Sequence, residues 1–151
     1  QRELLAQDGT HHKLSEFAGD FTILIFWSRN CMPCVRQLKT LQEFTSKTQG
    51  QGIRLALVST SREWKDSKEE KAFLSKYGAP NVESYIDEKG ALTSDLGIYS
   101  SPNAVLINQK GEEIGRISGA ADWGNEDVIE YINKIKTEQE EKENKKEKDT
   151  K

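Results

Sequence analysis

The run Phe21-Thr22-Ile23-Leu24-Ile25-Phe26-Trp27 is followed closely by Cys31-Met32-Pro33-Cys34, and these two cysteines are the only ones in the chain. So nearly unbroken an apolar stretch suits a strand covered on both faces, because a half-exposed strand would alternate with polar residues. It is therefore expected at the centre of a sheet. Beyond it the period changes: Cys34, Leu38 and Leu41 fall on one helical face, with Val35 and Phe44 beside them. A helix starting near Cys31 can pack that face on the sheet. After the breaker-rich Gln49-Gly50-Gln51-Gly52, residues 53–59 (IRLALVS) read as a second buried strand. A strand-helix-strand unit favours parallel pairing and places the chain in the α/β class.

The remaining pattern extends that frame. Residues 4–14 hold two short strand-like pieces around Asp8-Gly9, a dipeptide suited to the tight turn of an N-terminal β-hairpin. Ser15 is the expected cap of a short helical turn that Gly19 ends. A helix capped by Asp66 or Ser67, a short third parallel strand at 82–86 and a further short helix at 91–96 come next. Residues 103–108 and 112–118 flank Gln109-Lys110-Gly111 and read as an antiparallel pair. Asn125 caps a last helix whose Val128, Ile129, Ile132 and Ile135 form an apolar stripe.

Length and composition bound the organisation. At 151 residues, one domain with its own core is expected, over residues 1–137. From Glu138 onward no apolar residue remains, and residues 138–151 are expected to fray into disorder, having nothing to bury against the entropy of ordering. Net charge is only −3, with basic and acidic residues interspersed, so no stripe of Lys and Arg points to nucleic acid or an anionic membrane. No apolar run approaches the roughly 18 residues that cross a bilayer. The chain begins at Gln1, which is compatible with a removed leader or anchor upstream.

Cys31 and Cys34 admit several chemistries. A C-x-x-C that follows a strand and opens a helix sets both sulfurs within one turn, close enough to bond. Unpaired N–H groups and the positive end of the helix dipole favour a thiolate at Cys31, the expected nucleophile, while Cys34 lies one turn inward and can resolve a mixed disulfide. Pro33 fits the first turn, where its missing N–H is no loss. Structural zinc wants four ligands, and His11 and His12 sit adjacent to each other outside any finger spacing. A disulfide closing so short a loop removes little chain entropy, so a passive staple has little to gain. Two thiolates could hold Cu(I), but no His or Met stands at an evident ligand spacing, and Met32 reads as shaping the surface beside Cys31. Redox exchange, with neither metal nor cofactor, is the favoured reading. For Ser101-Pro102 the pattern alone favours a trans proline entering a strand. Trp27 reads equally as core or as a wall of the site.

KLSEFAGDFTILIFWSRNCMPC, Ser101-Pro102 with NAVLINQKGE after it, and GAADW before the last helix together resemble the TlpA/ResA-like thiol-disulfide oxidoreductases of the thioredoxin superfamily. The resemblance implies a thioredoxin-like fold, a central mixed β-sheet flanked by helices, with the N-terminal hairpin and an inserted strand-helix piece at about 68–96. It implies a cis Ser101-Pro102 bond facing the cysteines, with the Ser101 backbone free to pair with an extended substrate. It also implies an enzyme that acts on disulfide-bearing proteins, a reductant serving cytochrome c maturation or copper-centre assembly. By analogy it is a periplasmic monomer, tethered through a removed N-terminal segment and recharged by a membrane-embedded thiol donor. A disulfide oxidase or isomerase, or a thioredoxin-like Cu(I) chaperone, is the alternative. The chain departs from the family at Asn30, a helix cap where an aromatic is common. In STSREW, Arg62 stands near the place where some relatives have a buried Glu, with Glu63 next to it, and that role is not carried over. Asp20 or Glu16 is the other acid considered for tuning the cysteines.

Overall fold

The computed structural model describes residues 2–149. Strand β3 (Phe21–Phe26) is buried at every position. It pairs parallel with β4 (Ile53–Thr60) on one side and antiparallel with β6 (Asn103–Ile107) on the other. β1 (Glu3–Ala6), β2 (His11–Lys13), β5 (Glu83–Asp87) and β7 (Glu113–Ser118) complete a mixed sheet of order β2-β1-β5-β4-β3-β6-β7.

The side chains of β3 alternate between two cores, as the pleat requires. Phe21, Ile23 and Ile25 meet Leu38, Leu41 and Phe44 of helix α1 (Met32–Lys47), together with Ile129 and Ile132 of α4 (Glu126–Asp149). Leu24 and Phe26 point the other way, towards Phe17, Leu92 and Ile98. β3 is thus almost wholly removed from solvent, and the helix it feeds is fixed against one face. Thr22, its one polar side chain, donates from Oγ1 to the Phe17 carbonyl at 3.3 Å.

The region expected as an insertion holds α2 (Ser67–Lys76), β5 and α3 (Ala91–Asp95). β5 does not hang off the edge; it lies inside the sheet, parallel to β4 and antiparallel to β1. Asp66 caps α2, accepting from the Glu69 N–H at 2.9 Å.

Three expectations need correction. The turn at Leu14–Phe17 starts one residue early, and Glu16 rather than Ser15 closes it, its Oε2 accepting from the Lys13 N–H at 2.5 Å. Asn30 is not the cap of α1; Cys31 is, with Sγ accepting from the Cys34 N–H at 3.3 Å. The charged segment from Glu138, expected to be disordered, continues α4 to Asp149, and residues 150 and 151 lie outside the described residues. Polar contacts replace the missing apolar ones. Lys136 pairs with Glu140 at 2.8 Å along the helix, Asn108 and Gln109 of the β6–β7 turn donate to Gln139 and Glu140, and Lys110 pairs with Glu143. Among the described residues no helix is long and apolar enough to cross a membrane.

Candidate active site

β3 ends at Phe26, and Trp27 N–H still donates to the Val58 carbonyl of β4 at 3.1 Å, so the chain leaves the sheet in a fixed direction. Ser28 to Asn30 make the turn, and the Cys31 N–H donates to the Ser28 carbonyl at 3.1 Å. Pro33 sits in the first turn of α1, where it forfeits no helical hydrogen bond. Cys31 and Cys34 are joined as a disulfide, with Cα atoms 5.2 Å apart. The two sulfurs are unequal: Cys34 is 1% exposed, whereas Cys31 is half-buried at the helix entrance. An incoming sulfur can therefore reach Cys31 and not Cys34. The Cys34 N–H already points at Cys31 Sγ, the donor that would hold negative charge on that atom once the disulfide is reduced.

The Ser101-Pro102 bond is cis, and the Ser101 carbonyl oxygen lies 3.4 Å from Cys31 Sγ. Pro102 is buried, with its carbonyl accepting from the Gly119 N–H at 2.9 Å, while Ser101 is exposed. Among the described residues the Ser101 N–H makes no hydrogen bond. Met32, beside Cys31, is 58% exposed and offers its thioether to whatever approaches. Trp27 turns out to be both core and wall. Its ring packs on Trp64 and Phe73 at centroid distances of 5.8 and 6.0 Å, and it also lines a hollow reaching to Ser101.

The other residues weighed from the sequence fall elsewhere. Asp20 precedes β3 while the cysteines follow it, so the strand's length, about 20 Å, separates them. Glu16 is engaged with Lys13 and His12 beside β2. His11 and His12 lie on β2, the sheet edge four places from β3, about 19 Å away at ordinary strand spacing. None of these can share a ligand or a proton with the sulfurs.

Two residues without an assigned role prove central to the frame. Glu63 Oε1 accepts from Ser28 Oγ at 2.6 Å and from the Arg29 N–H at 2.7 Å, so one carboxylate fixes the turn that delivers Cys31. It stands just past the end of β4, parallel neighbour of β3, and that alignment is the signal by which it could have been found. Gln37, 3% exposed on α1, accepts at Oε1 from the Ala121 N–H at 2.9 Å and from Trp123 Nε1 at 3.3 Å. It ties the GAADW loop to the helix one turn below Cys34.

A half-buried sulfur and a buried one, bonded at a helix entrance beside a cis proline, form a dithiol-disulfide couple. The redoxin family profile matches residues 1–135. The chain belongs to the redoxin family. It is 26% identical over 129 residues to the thiol-disulfide oxidoreductase ResA of Geobacillus thermodenitrificans, covering 85% of this chain and 71% of that one. It is 29% identical over 110 residues to the thiol:disulfide interchange protein DsbE of Vibrio cholerae, covering 72% of this chain and 55% of the relative, just over half its length. Among solved structures, the exposed lipoprotein thioredoxin of Streptococcus pneumoniae superposes with a TM-score of 0.68 at 23% identity, over 87% of this chain and 97% of that one. This redoxin is a thiol-disulfide oxidoreductase of the ResA and DsbE type, on a thioredoxin-like fold.

Proposed function

We propose that the chain reduces disulfides in client proteins outside the cytoplasm, with Cys31 as nucleophile and Cys34 as resolving thiol. The observation that carries this reading is the unequal exposure of the two bonded sulfurs at the start of α1. In the reduced protein the Cys31 thiolate attacks one sulfur of the client disulfide. A Cys31-client bond forms, the client S–S bond breaks, and the released client thiolate takes a proton. The Cys34 thiolate, generated by loss of its proton to solvent, then attacks Cys31 Sγ. The mixed disulfide breaks, the second client sulfur leaves as a thiolate and takes a proton from solvent, and the Cys31–Cys34 disulfide is restored. Two electrons have passed from the protein to the client. Ser101, through its free N–H, and Pro102 would align an extended client segment; Met32 and Pro33 shape the entrance, and Trp27 backs it.

The ResA and DsbE relatives support thiol-disulfide exchange, and we assign that exchange to cytochrome c maturation or copper-centre assembly in a periplasm, with the chain anchored to the membrane. In that setting the 1–137 domain acts as a monomer and is recharged by a membrane-embedded thiol donor. Equilibration with glutathione buffers tests the direction. The pair should be more reducing than glutathione, and a potential near roughly −120 mV, typical of a dedicated oxidant, would overturn the assignment as reductant. Cys31→Ser should lower disulfide reduction about a thousandfold or more, and Cys34→Ala should accumulate Cys31-linked clients. A Cys31→Ser protein that retained turnover would remove the nucleophile from the scheme.

A further inference from the structure

Beside the disulfide runs a groove made of two hollows, of about 460 and 310 Å³, that share Thr60, Arg62, Thr93, Ile98 and Tyr99. Ser101, whose carbonyl faces Cys31, closes the near end, and Lys89 and Gly90 lie at the far end. Cations predominate along it. Arg62 and Lys89 are exposed, and among the described residues neither makes a hydrogen bond or an ion pair. The only acid lining the groove is Glu63, whose carboxylate is held by Ser28 and Arg29. Of the acids near its far end, Asp87 is 1% exposed and is taken up by the Leu92 and Thr93 N–H groups and the Thr93 hydroxyl, while Glu88 is exposed and lies 3.8 Å from His11. Tyr99 lines both hollows with 92% of its surface in solvent, its ring edge close to Gly97.

We propose that this groove reads an acidic, extended segment of the client next to its disulfide, Arg62 and Lys89 pairing with client carboxylates while Tyr99 lies against the chain between them. The proposal rests on the reading of this chain as a reductant of client proteins and names the class of client. Unpaired cations beside a reactive sulfur raise the encounter rate of acidic partners and suppress basic ones. The exchange itself is unchanged: two thiols of the protein are oxidised and one client disulfide is reduced.

The test uses the full chain, reduced, against two peptides. Each carries one intramolecular disulfide, flanked by aspartates in one and by lysines in the other. Hydroxyethyl disulfide serves as an uncharged probe. At low salt the aspartate peptide should react about tenfold faster than the lysine peptide. The ratio should fall towards one in molar salt, where screening is nearly complete. Arg62→Ala with Lys89→Ala should bring the low-salt ratio to about twofold or less, Arg62→Glu with Lys89→Glu should invert it, and Arg36→Ala, which removes an α1 charge outside the groove, should keep it. A wild-type ratio near one, a ratio that survives both groove variants, or an equal loss in Arg36→Ala would overturn the proposal. So would a wild-type dimer that the Glu variant dissolves in sedimentation, since the groove would then hold a second copy of the chain. Failure to reduce hydroxyethyl disulfide would sink the underlying reading; ready reduction of it with no peptide preference would sink the groove alone.

Discussion

Trp27, Trp64 and Phe73 form a sealed cluster under the Arg29 guanidinium, whereas the groove from Ser101 to Lys89 leaves Tyr99, Arg62 and Lys89 in solvent. Both regions border the turn that carries Cys31, yet their chemistry differs. In the cluster Arg29 lies 4.7 Å above the Trp64 ring, is paired with Glu69, and donates to the Glu63 carbonyl, while Trp64 Nε1 donates to Ser59. Its polar groups are nearly all used internally; Trp27 Nε1 is the exception, buried without a partner. In the groove the cations and the Ser101 N–H have no internal use. A nucleophile that must meet varied partners gains from a stiff mount on one flank and an uncommitted surface on the other, because only the first can hold a sulfur in place.

The largest effect should come from breaking the sealed side. Trp64→Ala empties a buried volume and removes the platform under Arg29, and it should cost about 3–5 kcal/mol in urea unfolding. Tyr99→Ala removes a ring of comparable size from the open side and should change stability by less than about 0.5 kcal/mol, while slowing reaction with a protein disulfide. Equal stability losses in the two variants would erase the distinction between the regions.

Glu63 joins them, and its removal should have an intermediate effect. Glu63→Ala leaves Ser28 Oγ and the Arg29 N–H without their acceptor, which should cost about 1–2 kcal/mol. It should also slow attack by Cys31, since the turn loses its anchor. Glu63→Gln keeps an acceptor oxygen in place and should restore most of both. If Glu63→Gln is as slow as Glu63→Ala, the negative charge and not the hydrogen bonds is what the site needs.

How much of this was legible depended on the kind of signal. The buried strand, the helix after it and the paired sulfurs were readable because apolar period and C-x-x-C spacing are local properties of the chain. The cis Ser101-Pro102 bond was not in the pattern, which favoured trans; it came only through family resemblance. Glu63 and Gln37 were missed because each acts through partners far along the chain, Ser28 and Arg29 for one and Ala121 and Trp123 for the other. A signal was present for Gln37, a polar residue beside Leu38 on the apolar face of α1, since a buried amide there needs a partner. The charged tail reads as disordered because it lacks apolar residues, and such a count does not register the polar contacts that the β6–β7 turn offers α4.

The sealed cluster has a weaker point in α2, the helix that supplies Phe73. Glu70 of α2 is 1% exposed; its Oε1 accepts from Ser84 Oγ and from Gln7 Nε2, and Oε2 has no partner. Burial pushes its pKa above the ordinary carboxylate value, against the opposing pull of the Ser84 and Gln7 hydrogen bonds. Below the ordinary range Glu70 is neutral in both folded and unfolded chains, and its contribution to stability is fully present. As pH rises the unfolded chain loses the proton first, so that contribution is lost until pH passes the raised folded value. Asp8, Glu16 and Asp95 are held below their usual values and act in the opposite sense, so the informative quantity is a difference between two proteins. Glu70→Gln cannot ionise. The wild-type melting temperature should therefore fall by a few degrees relative to the variant as pH rises from the ordinary carboxylate value through the raised folded one. Parallel curves would mean that water reaches Glu70, and that α2 clamps the aromatic cluster less tightly than its packing implies.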